Sequence, residues 1–362
     1  MKIELLGEVK TVMSNEGSRH NYFGWPTVCR LQNGKIAVAA SGYRIDHVCP
    51  FGKMVLSYSE DECESFTVPA PIIDTVLDDR DGGVMTFGEQ GVIVTSFNNT
   101  VAFQRGYAER YTHNQYALAY LDTVTAEEEA AVLGPTFRVS MDRGVTFGPI
   151  HRSPVTSPHG PCALRDGRIL WVGNYFNWES AEKDGTKIKV YSVLPTGEMT
   201  HVGDVPDVPG GLSSCEPHMA EAPDGTLIVH IRSEDGANGT TGDKHFTIFQ
   251  SESKDGGASW TVPHQILSNL GGAPAHILRT EDGLLISSYG YRAAPYGARV
   301  AVSTDNGKTW ERDFEINVNG VTYDIGYPST VALKDGSYFT VFYAHKAKGE
   351  PATILGQRWR FV

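Results

Sequence analysis

One hairpin-turn signal recurs six times along this 362-residue chain, at a spacing that few folds accommodate. In each copy a glycine after Asp, Asn or Gln separates short stretches of alternating apolar residues, as in LQNGKIAVAA and LRDGRILWVG. The turn glycines are Gly34, Gly91, Gly167, Gly225, Gly283 and Gly336. They recur about every 58 residues, with one longer interval between Gly91 and Gly167. Asn-Gly and Asp-Gly turns between apolar β-formers are the strongest local hairpin signal, so we predict a β-repeat protein.

A second turn motif alternates with the first. Its copies are SEDECESF (59–66), SMDRGVTF (140–147), SKDGGASW (253–260) and STDNGKTW (303–310), and the third interval has only the divergent YSVLPTGEM (191–199). In such a turn the Asp accepts hydrogen bonds from the following backbone N–H groups, and the glycine takes a positive φ. Each repeat is therefore predicted to contain two hairpins, or four strands.

Six four-stranded repeats predict an all-β fold, a six-bladed β-propeller of antiparallel blades. The last repeat lacks a fourth strand, and the N-terminal IELLGEVKTVM is expected to supply it and close the ring, which removes exposed sheet edges. The whole chain is read as one domain with blades at about 17–74, 75–152, 153–208, 209–266, 267–316 and 317–362 plus 1–16.

The longer interval is explained by an insertion in blade 2, residues 98–134. Thr125 and Glu128 form the sequence signature of a helix capping box, and Gly134 is placed to end that helix. The insertion also carries Tyr107, Tyr111, His113 and Tyr116. Sequence alone leaves open whether it covers a pocket or forms an oligomer contact.

Composition excludes several classes of function. The formal net charge of -12 disfavours binding to nucleic acid. The five cysteines are odd in number and contain no CxxC pair, which argues against a disulfide framework or a zinc knuckle. Neither a signal-peptide core nor an 18-residue apolar run occurs. We expect a cytoplasmic protein without cofactor or membrane association, and the sequence does not indicate its oligomeric state.

The two repeated turns lie at the same ends of antiparallel strands, so they share one face of the ring. The opposite face carries the starts of the innermost strands, where the repeats differ. Polar residues at these starts and in the neighbouring loops are Tyr22, Arg44, Asp46, His47, Asp79, Arg80, Asp81, His159, Glu216, His218, Arg232, His276, Arg292, Tyr296, Asp324 and Tyr327. Carboxylate, His, Arg and Tyr side chains around one channel mouth suit acid–base chemistry on a polar ligand such as a sugar.

With both turn classes identified, the chain resembles the sialidase (neuraminidase) superfamily, whose Asp-box repeat is S-x-D-x-G-x-T-W. The resemblance covers nearly the whole chain and implies a carbohydrate substrate. It implies that Tyr327 is the nucleophile, that Glu216 is its base, and that Arg232 binds the substrate. The acid/base Asp of the family corresponds best to Asp46, shortly after Arg44, and His47 stands beside it. A Tyr nucleophile is the sialidase exception among glycosidases.

One position departs from this pattern. Sialidases begin blade 1 with Phe-Arg-Ile-Pro, whose Arg helps to hold the substrate carboxylate, whereas this chain has Phe23-Gly24-Trp25-Pro26. A third family Arg has only a rough counterpart in Arg292 or Arg299. Arg80 is a candidate replacement cation. The missing Arg therefore counts against sialic acid as the substrate.

The sequence favours an exo-acting glycosidase that removes a terminal sugar, either acidic or neutral and not restricted to sialic acid. Catalysis is assigned to Tyr327, Glu216 and either Asp46 or His47. Substrate contacts are assigned to Arg44, Asp79, Arg80, Asp81, His159, His218, Arg232, His276, Arg292, Tyr296 and Asp324. Elimination at a uronate-linked sugar and non-catalytic sugar binding remain alternatives. A metal bound by His159, His218 and His276 is not demanded by their spacing.

Overall fold

The two turns of each repeat join four antiparallel strands, and six such sheets form a ring in the computed structural model. The structure describes residues 1–110, 114–234, 246–267 and 274–362. The predicted six-bladed β-propeller is confirmed. Within each blade the chain runs outward from the axis, so the first strand of a blade lines the central channel.

The first three blades follow the N-terminal strand β1 (Ile3–Met13). Blade 1 contains β2 (Tyr22–Arg30), β3 (Ile36–Arg44), β4 (Lys53–Ser59) and β5 (Ala70–Ile73). Blade 2 contains β6 (Val84–Phe87), β7 (Gly91–Ser96), β8 (Thr136–Ser140) and β9 (His151–Arg152). Blade 3 has an inner strand in two pieces and consists of β10 (Val155–Thr156), β11 (Cys162–Ala163), β12 (Ile169–Asn177), β13 (Glu182–Val193) and β14 (Met199–Val205).

The other three blades have the same order. Blade 4 contains β15 (Ser213–Glu221), β16 (Leu227–Glu234), β17 (Phe246–Ser253) and β18 (His264–Gln265). Blade 5 contains β19 (Ala275–Arg279), β20 (Leu285–Tyr291), β21 (Tyr296–Ser303) and β22 (Glu311–Gly320). Blade 6 contains β23 (Gly326–Ala332), β24 (Tyr338–His345) and β25 (Ala352–Phe361).

The predicted inner turns share one hydrogen-bond pattern. In blade 1 the Gly34 N–H donates to the carbonyl of Leu31 at 2.9 Å, and φ of Gly34 is 87°. Blades 3 to 6 repeat this geometry. Blade 2 differs from the prediction, because Gly91 already pairs with Phe87 and the positive φ lies at Gly88 instead. Three residues connect its two strands, so the turn ends earlier than the sequence pattern indicated.

The four Asp boxes also share their bonds. In the last one Asp305 accepts from the backbone N–H and the hydroxyl of Thr309, while the Ser303 hydroxyl accepts from the Gly307 N–H at 2.9 Å. The weakest sequence match, SEDECESF, has the same bonds, although Cys63 replaces glycine and adopts φ 69°. The divergent turn of blade 3 instead repeats the inner-turn pattern, with Gly197 N–H donating to Leu194.

The ring closes between β1 and β25, as predicted from IELLGEVKTVM. The two strands pair antiparallel from Ile3–Phe361 to Met13–Ile354. At its end β1 buries Val12 and Met13 in the apolar cluster that joins blades 6 and 1. Burial of each such side chain contributes about 1.5–3 kcal/mol, so the first strand is an integral part of the last blade.

The insertion of blade 2 contains three helices in its described part, α1 (Val101–Ala108), α2 (Gln115–Leu121) and α3 (Ala126–Val132). The capping box at Thr125 and Glu128 is present at α3, whereas α1 and α2 were not predicted. None of these helices is long and apolar enough to cross a bilayer.

Candidate active site

Three side chains reach the channel mouth from the same kind of backbone distortion. In β2, β15 and β23 one extra residue interrupts the ladder, at Trp25-Pro26, Glu216-Pro217 and Tyr327-Pro328. The residue before each proline has a positive φ, of 55°, 54° and 50°. Bulges re-aim side chains and are frequent beside active sites, and strained backbone clusters at functional sites. The bulges therefore mark this mouth as a candidate site.

Glu216, Tyr327 and Arg232 form one buried contact there. The Tyr327 hydroxyl donates to Glu216 Oε1 at 2.6 Å, and Arg232 donates to Glu216 Oε2 at 2.6 Å. Arg232 also lies 3.3 Å from the Tyr327 oxygen and pairs with Glu234 at 2.6 Å. From blade 3 the Asn174 side chain accepts the Glu216 backbone N–H at 2.9 Å. The predicted nucleophile, base and binding Arg are thus adjacent in space, although 95 residues separate Arg232 from Tyr327.

The charges around this contact fix its protonation. Burial opposes ionisation of Glu216, but the cations of Arg232 and Lys183 and the Tyr327 hydrogen bond outweigh it and lower the Glu216 pKa to about 2. Burial, followed by the Glu216 charge, raises the pKa of Tyr327 well above its usual value. At neutral pH the site therefore contains a carboxylate that accepts and a neutral phenol that donates.

Two further predicted cations flank the contact. Arg292 lies with its Cζ 5.7 Å from the centre of the Tyr327 ring and donates to the carbonyl of Ile325. Arg80 stacks on Trp25 at 4.2 Å, and its ion pairs are long, 3.5 Å to Asp81 and 3.8 Å to Asp78. One oxygen of Asp81 is buried without a hydrogen-bond partner among the described residues. This side of the mouth thus offers a cation and a carboxylate with unused bonding capacity.

The departure at Gly24 has a structural counterpart. A Cβ at Gly24 would lie 3.4 Å from the Tyr22 ring and 3.9 Å from the Tyr343 ring. Two tyrosines therefore occupy the space next to the position where sialidases have Arg. Neither Tyr343 nor its hydrogen-bond partner was connected to this position by the sequence.

That partner, Asp324, contacts four side chains. It accepts from Tyr343 at 2.7 Å and Tyr22 at 3.0 Å, and it lies 3.1 Å from His345 Nε2 and 3.3 Å from His47 Nδ1. Burial opposes its ionisation, but hydrogen bonds from His345, His47 and Tyr343 lower its pKa far below the usual range. Asp324 is therefore ionised at neutral pH.

Several predicted contact residues make bonds that hold neighbouring parts of the protein together. Arg44 is fully buried in a bidentate pair with Asp78, at 2.5 and 2.9 Å. Asp79 is also fully buried and accepts from the Thr75 backbone and side chain. Tyr296 packs in the apolar cluster around Ile325. Arg299, the alternative to Arg292, stacks on Tyr291 and pairs with outer-strand carboxylates.

Asp46 connects the blade-1 loop to the insertion. One oxygen accepts from the Tyr107 hydroxyl at 3.3 Å and the other from Asn114 at 3.2 Å. Tyr116 stacks on Phe51. Tyr111 and His113, also singled out in the sequence, lie outside the described residues.

The three predicted histidines converge below Tyr327. The ring centres of His159, His218 and His276 are 4.6–5.6 Å apart, and His159 lies 6.5 Å from the Tyr327 ring. Burial lowers all three pKa values, that of His276 to about 3, so the rings are neutral. They form the end of an axial cavity of about 900 Å³ that extends to the repeated turns at Asp282 and Gly336.

The hydrogen bonds of these rings do not suit a metal site. Backbone N–H groups donate to Nδ1 of His218 and Nδ1 of His276, so Nε2 carries the proton on both rings and has no lone pair for an ion. No group of three metal-ligating side chains in suitable positions occurs in the described part of the chain. The trio is better suited to hydrogen bonding.

The sequence did not single out three contributors to the site. Tyr343 and His345 end β24, and Lys183 acts on Glu216 from β13. The Tyr-x-His pattern at the mouth end of a second strand was the available signal, because residues two apart share a face of a strand.

Comparison with known proteins gives a family and a fold. The model of the BNR repeat-like domain family matches residues 96–341. A protein of unknown function from Dyadobacter fermentans is similar, with 20% identity, 99% of each chain covered and a TM-score of 0.75. The NanB sialidase of Streptococcus pneumoniae has 11% identity and a TM-score of 0.66 over 97% of this chain and 70% of its own.

An α-L-arabinofuranosidase from Fusarium graminearum is also similar, with 13% identity, a TM-score of 0.62 and coverage of 97% of this chain and 98% of its own. At these identities the likeness is one of fold. No curated protein matches the chain.

Proposed function

The chain belongs to the BNR repeat-like domain family of sialidase-like propellers, and on that premise we propose that it is an exo-acting glycosidase with Tyr327 as the nucleophile. One observation carries the proposal, the 2.6 Å bond from the buried Tyr327 hydroxyl to ionised Glu216. A phenol and a carboxylate in this contact form a nucleophile–base pair. Structural neighbours named as a sialidase and an arabinofuranosidase support a glycosidase.

In the first step the Tyr327 oxygen bonds to the anomeric carbon while the bond to the leaving oxygen breaks. The phenolic proton passes to Glu216, and an acid of the blade-1 loop protonates the leaving oxygen. In the second step water attacks the anomeric carbon and gives a proton to the same blade-1 group, the bond to Tyr327 breaks, and Glu216 returns its proton to the Tyr327 oxygen. Because Glu216 is a weak base beside Arg232, the proton moves only as the carbon–oxygen bond forms.

The substrate that these residues favour is a sugar with an anionic substituent. Arg80, Arg232, Arg292 and Lys183 surround the mouth of an otherwise acidic protein. Sialic acid itself is disfavoured, because the position of one gripping Arg is Gly24. Each lost hydrogen bond to a charged group removes about 1.5–3 kcal/mol of binding free energy.

The test is a panel of 4-nitrophenyl glycosides that includes sialic acid, hexuronic acids, L-arabinofuranose and neutral hexoses. We expect turnover of an acidic glycoside, and a loss of at least about 10³-fold in kcat for Tyr327→Phe and for Glu216→Gln. Tyr323→Phe is the matched control, because Tyr323 is exposed on the adjoining loop. Undiminished turnover by Tyr327→Phe, or sugar binding without turnover of any glycoside or oligosaccharide, would contradict the proposal.

A second candidate function, β-elimination at a uronate-linked sugar, is favoured by one observation. The His47–Asp324 contact beside Tyr22 supplies the His and Tyr groups that proton abstraction next to a carboxylate requires. Elimination leaves an unsaturated product that absorbs in the ultraviolet, whereas hydrolysis does not. Absorbance of the products from uronate-containing oligosaccharides separates the two reactions.

A further inference from the structure

The blade-1 loop contains two neighbouring groups able to transfer a proton, and their surroundings differ. The Asp46 carboxylate accepts from Tyr107, from Asn114 and from the His47 backbone N–H at 2.7 Å. Tyr107 and Asn114 belong to the insertion. The bonds of Asp46 therefore hold the loop against the insertion.

The His47 ring is held on the side of the mouth. Its Nδ1 lies 3.1 Å from the Tyr22 hydroxyl and 3.3 Å from Asp324, and its edge packs on Trp25 at 5.0 Å. Trp25 also contacts the ring of Tyr327 at 6.3 Å. With 37% of its side chain exposed, His47 is accessible to a ligand that contacts Trp25.

The partners of Asp324 determine which nitrogen of His47 is available. Asp324 is ionised and accepts hydrogen bonds only, and the Tyr22 hydroxyl already donates to it. Nδ1 of His47 must then carry a proton, which it shares between Asp324 and the Tyr22 oxygen. Nε2 has no hydrogen bond to the described residues and remains the atom that exchanges a proton.

We propose that His47, through Nε2, is the acid and base of the reaction, and that Asp324 is the residue that positions it. This inference rests on the proposed glycosidase. In the first step the Nε2 proton of the imidazolium passes to the leaving oxygen as its bond to the anomeric carbon breaks. In the second step Nε2 takes a proton from the attacking water and the imidazolium re-forms. Asp324 remains ionised in both steps and fixes the orientation of the ring.

The charges that face His47 are consistent with this exchange. Asp324 faces Nδ1 from the loop before β23, and His345 occupies the other side of Asp324. Arg44 binds the His47 carbonyl at 2.7 Å, and Asp46 accepts its backbone N–H. Among the residues that the structure describes, only Asp324 and Tyr22 contact the ring nitrogens, so changing Asp324 acts directly on the acid.

The kinetic test compares leaving groups on the glycoside that the panel identifies. We expect His47→Gln to lower kcat/KM by about 10²–10⁴-fold for a methyl or phenyl leaving group, but by less than about tenfold for 2,4-dinitrophenol, which departs without protonation. His201→Gln is the matched control, since it removes a His–Asp pair of 2.9 Å on the outer strand of blade 3. It should leave both rates unchanged.

The two proposals fail differently in this experiment. If His47→Gln lowered kcat/KM equally for both leaving groups while Tyr327→Phe was still inactive, the role of His47 alone would be overturned. Activity of Tyr327→Phe would overturn the proposed function. Asp324→Asn should lower kcat/KM mainly for the methyl or phenyl leaving group, which a purely structural role would not do.

A spectroscopic test does not depend on turnover. In protein with ¹⁵N-labelled histidine, we expect Nδ1 of His47 to be protonated at neutral pH. In Asp324→Asn the proton should redistribute towards Nε2, while the control signal of His201 stays unchanged. An unprotonated Nδ1 in the unmodified protein would overturn the inference.

Discussion

Trp25, Glu216 and Tyr327 occupy equivalent backbone positions in three blades, and all three have a left-handed φ that non-glycine residues avoid. Such a conformation costs about 1–2 kcal/mol per residue. The following proline and the flanking ladders fix it, so the strain is held by the sheets. At the scale of single residues, three blades thus share an equivalent bulge position, and each blade places a different side chain there.

A buried carboxyl away from the mouth gives a residue-scale prediction about pH. Burial raises the pKa of Asp79 from 3.8 to about 7, despite hydrogen bonds from Thr75 and Asn98. The folded state then binds this proton more tightly than the unfolded state, so stability falls as pH rises from about 4 to 7 and is constant above. Three pKa units correspond to about 4 kcal/mol at most. Asp79→Asn should lack this loss in thermal unfolding measured from pH 4.5 to 8.

Asp74→Asn is the matched control, because Asp74 lies five residues earlier and forms an exposed pair with Lys53. Its unfolding should follow the pH dependence of the unmodified protein. If the unfolding temperatures of the unmodified protein and Asp79→Asn differed by the same amount at every pH, Asp79 would not titrate in this range.

The sequence was informative about the residues that adjoin a recognisable local signal. Glu216 and Tyr327 precede prolines at the starts of inner strands, and their contact could be expected from the ring geometry. Tyr343 and His345 share one face of an apolar strand, but their Tyr-x-His pattern does not identify Asp324 as the partner, because Asp324 lies 19 and 21 residues earlier. Arg44 looked like a ligand contact because its fully buried partner, Asp78, is 34 residues away.

At the scale of elements, the Asp boxes are fold elements on the face opposite the candidate site. Ser303 is buried, and its hydroxyl accepts the Gly307 N–H. Ser303→Ala leaves that N–H without a partner, which costs about 1–3 kcal/mol. We expect a lower unfolding temperature with unchanged kcat/KM. Thr309→Val, which removes an exposed bond of the same turn, should have a smaller effect; a loss of activity without a loss of stability would contradict this assignment.

The type of an element could be predicted wherever a turn or cap residue fixed the position at which the element begins or ends. The hairpins, the Asp boxes and the capped helix α3 followed from Gly, Asp and Thr at set positions. Helix α1 is capped by Thr100 but has Phe103 in place of the Glu of a capping box, and α2 has neither a side-chain cap nor a charged first turn. Packing against the blade-1 loop, through Tyr116 on Phe51, stabilises them instead.

At the scale of the whole molecule, closure by β1 leads to a prediction about the termini. Deletion of residues 2–13 exposes the edge of β25 and removes Val12 and Met13 from the core, so it should cause aggregation and a lower unfolding temperature. The matched control is a circular permutant with Val362 joined to Met1 by a short Gly/Ser linker and new termini between the exposed Gly210 and Gly211. It keeps β1 on β25 and should remain stable and active. Equal stability of the deletion variant and the unmodified protein would contradict the role of β1.

Because the first strand pairs with the last, β1 has to wait for its partner during synthesis. A ribosome adds about 5–20 residues per second, so β1 leaves it on the order of 20–70 s before β25 is complete. During that time five blades are able to form while the sixth is unfinished, and β1 has no partner. The edge of β1 is therefore the part of the ring that stays without its sheet partner longest during synthesis.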